Sequence, residues 1–194
     1  MNEYENLPIG FVDFAESLCD LENEVKDLLA AKLYEKRYRK GELVLETGMV
    51  CNRIYFIDSG LVKTFFYTDT REFIMRFFPE GNMFTVLDSF VLQQPSEFSV
   101  MALEDTVITC LNHDDLEIIC TRYHSAEKFY RKLLSLAAVN MMDRMGGMLE
   151  EKAYAAYHKF LKENGSLLQR ISLADLASYL GITQVSLSRI RAMK

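Results

Sequence analysis

The sequence is poor in the residues that carry metal, redox or membrane chemistry. Its three histidines (His113, His124, His158) have no spacing that would bring two to one metal ion, and its four cysteines (Cys19, Cys51, Cys110, Cys120) form no CxxC pair. No metal, haem or other cofactor is expected. Cys110 and Cys120 sit in the apolar stretches VITCL and LEIIC, which predicts buried, reduced thiols. No apolar run approaches the roughly 18–20 residues that cross a bilayer. The acidic start, MNEYENLPIGF, lacks the basic end and apolar stretch of a secretion signal. These absences predict a cytoplasmic protein with no membrane partner. Nucleophile-elbow and P-loop motifs are missing too, and Asp114-Asp115 and Glu150-Glu151 read as helix N-terminal charges rather than an acid–base pair, so no enzymatic activity is expected. Positive charge is also short: the formal net charge is −6 and the sequence pI near 5.2.

What is present is enough to fold. The chain has 194 residues, 49% hydrophobic and 26% charged, the balance of a globular protein with one large domain or two small ones. Its charge is unevenly spread. Residues 151–194 hold seven Lys/Arg against three acids, while residues 1–150 hold 15 against 25. The acidity therefore belongs to the first part, and any contact with a polyanion is expected from the last 44 residues.

Between Phe11 and Leu33, Phe11, Phe14, Leu18, Val25, Leu28 and Leu29 recur at helical spacing, which predicts one or two short amphipathic helices. The texture changes at Tyr38. GELVLETG, RIYFIDSG, LVKTFFYT, EFIMRFF, EFSVMALE and TVITCLN are short β-branched or aromatic runs separated by glycines or polar pairs, which predicts an all-β unit over 38–112. From Asp114 the pattern returns to helix, short at first and then long over 126–145. That long helix carries apolar residues on more than one face (Leu133, Leu134, Leu136, Ala137, Ala138, Val139) and needs partners on two sides. One is the β unit; the other is a second copy of the same helix, or else burial within one monomer. Gly146-Gly147 would cost about 1–2 kcal/mol inside a helix, so an interruption is expected there, with domains of 1–145 and 146–194. EEKAYAAYHKFLKENG then reads as a helix stopped by Gly165.

The final stretch, LADLASYLGITQVSLSRIRAMK, has the spacing of a helix-turn-helix. Ala177 is small where two helices would cross, Gly181 starts the turn, and Leu176, Leu180, Ile182, Leu187 and Ile190 face a core. Thr183, Gln184, Val185, Ser186, Ser188 and Arg189 are left toward the outer side or the N-terminal end of the second helix. In a major groove, Thr183 and Ser186 suit phosphate oxygens, Gln184 an adenine edge and Val185 a thymine methyl. Arg189 suits guanine O6/N7, or alternatively a phosphate or solvent. Ala192, Met193 and Lys194 can finish this helix but cannot add a β-hairpin wing, so either DNA is read without one or the chain is a trimmed form.

A glycine-punctuated β-roll, a long apolar helix and a terminal helix-turn-helix, in that order, resemble the cyclic-AMP receptor protein/FNR family of bacterial transcription regulators over nearly the whole chain. KGELVLETGMVCNRIYFIDSGLVK and ISLADLASYLGITQVSLSRIR carry the likeness. The resemblance implies an α+β fold: a jelly-roll-type, cyclic-nucleotide-binding-like β-roll flanked by helices, a dimerisation helix and a helix-turn-helix domain. It also implies a homodimer on a near-palindromic double-stranded DNA site, RNA polymerase as a partner, and a small-molecule effector pocket between roll and long helix. Gln184 and Val185 replace the arginine and glutamate of the cyclic-AMP receptor, which implies a different target sequence. In the effector region, Thr85-Val86 stands in place of Gly-Glu and Glu97-Phe98-Ser99 in place of Arg-Ser-Ala. A carboxylate in place of an arginine exchanges attraction for repulsion, on the order of 4 kcal/mol each at ~4 Å and an effective dielectric near 20. Cyclic AMP bound in the usual way is therefore not expected. Asp88, Ser89, Glu97 and Ser99 line the expected pocket in this reading, with no effector identified. The N-terminal cysteine cluster of the family's iron–sulfur branch is absent, Cys19 being alone there. The alternative is a ligand-sensing or protein-interaction module whose helix-turn-helix no longer reads specific DNA.

Overall fold

The computed structural model describes residues 10–69, 71–150 and 153–192. Two short helices, α1 (Phe11–Leu18) and α2 (Asn23–Lys32), come first and bury Phe11, Ala15, Val25 and Leu29. Among the described residues eight strands follow: β1 (Tyr34–Tyr38), β2 (Leu43–Leu45), β3 (Arg53–Ser59), β4 (Leu61–Tyr67), β5 (Glu72–Pro79), β6 (Met83–Phe84), β7 (Ser99–Ala102) and β8 (Thr106–Asn112). They form two antiparallel four-stranded sheets, ordered β1-β8-β3-β6 and β2-β7-β4-β5. A short helix α3 (Leu87–Leu92) lies between β6 and β7.

Strand β3 shows why the runs are so apolar. Ile54, Tyr55, Phe56 and Ile57 are all buried, because its sheet is covered on both faces. Phe56 meets Phe14 of α1 on one face, while on the other Tyr55 stacks on Phe84 and Phe84 on Phe78 inside the roll. Gly60 makes the β3–β4 turn at φ +99°, where a Cβ would lie 2.5 Å from Thr106 Oγ1 and 2.8 Å from the Asp105 carbonyl oxygen. Only glycine fits.

Helix α4 (His113–Cys120) leads into α5 (His124–Glu150), α6 (Ala153–Asn164), a 3-10 turn (Gly165–Gln169), α7 (Leu173–Leu180) and α8 (Gln184–Ala192). Two hydrophobic cores result. The first fills the roll and reaches α1, α2, α4 and the start of α5. The second joins Leu61, Phe65, Ile74 and Phe77, on the outer face of β4–β5, to Tyr157, Phe160, Leu167, Leu176 and Leu187 of the C-terminal segment.

The structure departs from the sequence reading at two places. The β unit begins at Tyr34, before the texture change at Tyr38: YEKRY pairs along β8 from Tyr34↔Cys110 to Tyr38↔Thr106. It is a half-exposed edge strand whose charged residues hide its alternation. The expected break at Gly146-Gly147 does not occur either, since α5 runs through both glycines to Glu150. Their propensity penalty is small beside the anchoring that precedes them. Arg144 donates to the carbonyl oxygens of Met75 (3.1 Å), Ile74 (3.2 Å) and Tyr179, and its guanidinium lies 3.8 Å over the Tyr179 ring. Tertiary contacts of this kind override local propensity.

Candidate nucleic-acid interface and adjoining cavity

Helix α7 starts with a capping box. The Ser172 hydroxyl accepts from the Asp175 amide, and the Asp175 carboxylate accepts from the Ser172 amide. It ends at Gly181, whose φ of 68° turns the chain, and the Ile182 amide donates back to the Ala177 carbonyl at 3.0 Å. Helix α8 is opened by Thr183, whose Oγ1 accepts from the Ser186 amide at 3.1 Å. Leu187 is fully buried and Ile190 half-buried against the second core. Gln184, Val185, Ser188 and Arg189 are exposed, and their spacing puts them on one face of α8. Val185 is 62% exposed, an unusual place for a valine. Of the six residues singled out for DNA contact, these four point outward. Thr183 is exposed but its hydroxyl caps the helix, and Ser186 is half-buried against it.

The same helix pair is held to the roll by charge. Lys63, only 6% exposed, donates at 2.8 Å to both Glu72 Oε1 and Asp175 Oδ1. Arg170 grips Glu80 and Glu104 together, and Arg71 donates to the Gly181 carbonyl at 3.2 Å. Burial alone would raise the carboxyl pKa of Asp175, but hydrogen bonds from Lys63 and Ser172 outweigh it and hold the group below its usual range. None of these cations was singled out in the sequence. Lys63 interrupts the apolar run LVKTFF, the one local sign that its ammonium would need a partner.

A cavity of about 500 Å³ opens between the roll and α5. Asp88 lines it, but the other three residues placed there from the sequence do not. Ser89 Oγ accepts from the Cys51 amide and donates to the Gln94 carbonyl; Ser99 Oγ accepts from the Thr47 amide; Glu97 is exposed. The two serines satisfy backbone groups around them, those of Thr47 and Cys51 on distant segments and of Gln94 nearby. Thr85 reaches the cavity, yet its hydroxyl donates to the Arg53 carbonyl at 2.8 Å. A smaller cavity of about 360 Å³ lies between β5, α5, α6 and α7, and Arg76 and Arg144 stand on the wall common to both. The four thiols are free; burial pushes Cys110 up to about 11 and Cys120 to about 12, so neither is a thiolate at neutral pH. Among the described residues, no helix is long and apolar enough to cross a membrane.

A double-sheet roll, a long helix and a terminal helix-turn-helix define the architecture of a sensor-type domain joined to a helix-turn-helix unit. Residues 35–123 match the cyclic nucleotide-binding domain family. The transcriptional regulatory protein btr of Bordetella pertussis is 22% identical over 179 residues, which cover 87% of this chain and 74% of that protein. FixK2 from Bradyrhizobium japonicum superposes with a TM-score of 0.72 at 21% identity, covering 82% of this chain and 83% of that one. A crp/fnr-family protein from Eubacterium rectale gives 0.71 at 18% identity, with coverages of 88% and 82%. The chain thus carries a cyclic nucleotide-binding domain, and its overall fold is that of the Crp/Fnr regulators.

Proposed function

We propose that this chain is a DNA-binding transcriptional regulator acting as a homodimer, with 1–145 as its regulatory unit and 146–194 as its DNA-reading unit. The observation that carries the reading is the face of α8. Gln184, Val185, Ser188 and Arg189 stand side by side in solvent, on the part of the chain with a surplus of positive charge, while Leu187 anchors the opposite side. Such a helix presents a hydrogen-bonding amide, a methyl surface and a guanidinium to the major groove at once.

Helix α5 is the dimer contact in this reading. Beyond Leu133, which is buried, Leu136, Val139, Met141, Met142 and Met145 are 40–71% exposed along it. A second copy of the helix would cover them. Two recognition helices would then meet half-sites about one helical turn (roughly 34 Å) apart, so the site is a near-palindrome. RNA polymerase is the further partner that the family implies. The effector is not cyclic AMP held in the usual way: Thr85 is bonded to the backbone and Glu97 stands exposed outside the cavity, so neither offers a cation to a cyclic phosphate.

Selection of bound duplexes from a random pool by the purified protein tests the reading. A palindromic motif is expected, with Arg189→Ala losing about 1–3 kcal/mol of discrimination at one base pair per half-site. An equal loss on specific and random DNA would make Arg189 a phosphate contact. No enrichment by folded protein would overturn the regulator reading in favour of a module that no longer reads DNA.

A further inference from the structure

The register of β4 and β5 decides which way Arg76 faces. Val62↔Phe78 and Thr64↔Arg76 are paired, and Val62 and Phe78 belong to the core of the roll; between them, Lys63↔Phe77 points the other way, with Phe77 in the second core. Arg76 thus extends on the roll side of the sheet, over the Phe78 ring at 5.2 Å and into the 500 Å³ cavity. It is half-buried, and among the described residues no carboxylate pairs with it. Burial pulls its pKa down and only Tyr179 acts against that.

Among the described residues, three other sheltered cations are held by partners, whereas Arg53 on β3 also lacks a carboxylate and leaves its buried Nε without a hydrogen bond. Lys63 holds Glu72 and Asp175, Arg170 holds Glu80 and Glu104, and Arg144 is bonded to three backbone carbonyls. A guanidinium facing an apolar cavity without a counter-ion is costly, and an anion delivered by a ligand removes that cost. The rest of the wall sets the ligand's other end. Phe78, Phe84, Phe98, Leu133, Leu136 and Met83 supply hydrocarbon and aromatic surface. Asp88 adds a negative charge at the α3 end, which disfavours a second anionic group. The volume suits a drug-sized molecule; apolar side chains make most of the wall, and Thr64, Asn82, Thr85 and Asn140 are its remaining polar groups.

We propose that this cavity binds an apolar monocarboxylic acid, with Arg76 pairing with the carboxylate and the aromatic and aliphatic wall enclosing the hydrocarbon. The proposal rests on the reading of the roll as a sensor and names the class of molecule sensed.

Titration calorimetry at pH 7 on the full chain tests it, with octanoate, octan-1-ol and cyclic AMP as probes. Octanoate is expected to bind at least tenfold more tightly than octan-1-ol, and cyclic AMP to give no binding heat over the same range. Arg76→Met should bring octanoate down to the affinity of octan-1-ol and leave the alcohol unchanged, which also shows that the cavity survives the substitution. Arg76→Lys should keep part of the preference. Equal affinities for acid and alcohol, an acid preference that persists in Arg76→Met, or stronger binding of cyclic AMP than of octanoate would each overturn the proposal. DNA selection is scored separately, so octanoate binding without DNA enrichment refutes the regulator reading alone. Enrichment without an acid preference refutes the ligand class alone.

Discussion

Replacing Lys63 by methionine should be among the most damaging single changes at the seam between roll and helix-turn-helix. The ammonium sits 2.8 Å from two carboxylate oxygens, one on β5 (Glu72) and one on α7 (Asp175), and also lies 4.8 Å over the Phe65 ring. At an effective dielectric of 20 the gross attraction is about 6 kcal/mol for each pair, most of which is offset by dehydrating three charges. Methionine keeps the volume but strands both carboxylates. Breaking a buried pair in this way costs about 3–5 kcal/mol. Glu72 and Asp175 retain 20% and 15% side-chain exposure, so we expect the lower end, ~3 kcal/mol, or a fall in Tm of roughly 6–12 °C for a domain of this size. Thermal unfolding followed by circular dichroism measures it. The triple change Lys63→Met, Glu72→Gln, Asp175→Asn removes every charge and should recover most of the loss. The pH dependence follows from the depressed pKa of Asp175. The stability it contributes is fully present above its unfolded value near 4 and is lost as pH falls through the lower folded value. The gap between wild type and Lys63→Met should therefore be widest near neutrality and close below about pH 3–4. A loss below 1 kcal/mol, or a triple variant no more stable than the single one, would refute the reasoning.

Other substitutions test separate links. Gly60→Ala should cost more than about 2 kcal/mol, because it adds a Cβ against the Asp105–Thr106 backbone to the 1–2 kcal/mol of left-handed strain. Gly48→Ala, at φ +87° in open space, should cost only the strain; equal chemical-denaturation midpoints for the two would refute the close-approach argument. Leu187→Ala empties a fully buried site between α7 and α8 and should cost about 2–5 kcal/mol. Specific DNA binding should fall with it, and hydrogen exchange should rise in α7 and α8 before it rises in β3 and β8.

Much of the architecture was legible in the sequence because its signals are local. Turn glycines and β-branched runs announced most strands of the roll, and the spacing around Gly181 announced the helix pair, whose capping box and φ of 68° follow from Ser172, Asp175 and Gly181 themselves. Charge was legible as well, since formal charges add without reference to shape. Local preference yields to a tertiary anchor at two places: at Gly146-Gly147, where Arg144 ties α5 to β5 and α7, and at YEKRY, where pairing to β8 decides an edge strand.

The candidate pocket divides in the same way. Asp88 could be placed from sequence position, but Ser89 and Ser99 bond the amides of Cys51 and Thr47, partners that lie 38 and 52 residues away. Arg76 was invisible within EFIMRFF, because a strand's alternation says that neighbours face opposite ways and not which way each faces. The chain by itself determined the order of elements, the helix-turn-helix and where positive charge lies. Only the tertiary structure decided that the helix-turn-helix leans on the outer face of β4–β5 through Lys63 and Arg170, and that Arg76 faces a mostly apolar cavity with no carboxylate paired to it among the described residues. Both depend on contacts between residues 66 to 112 positions apart or on the side a strand presents, and those are set by how the sheets close rather than by any local preference.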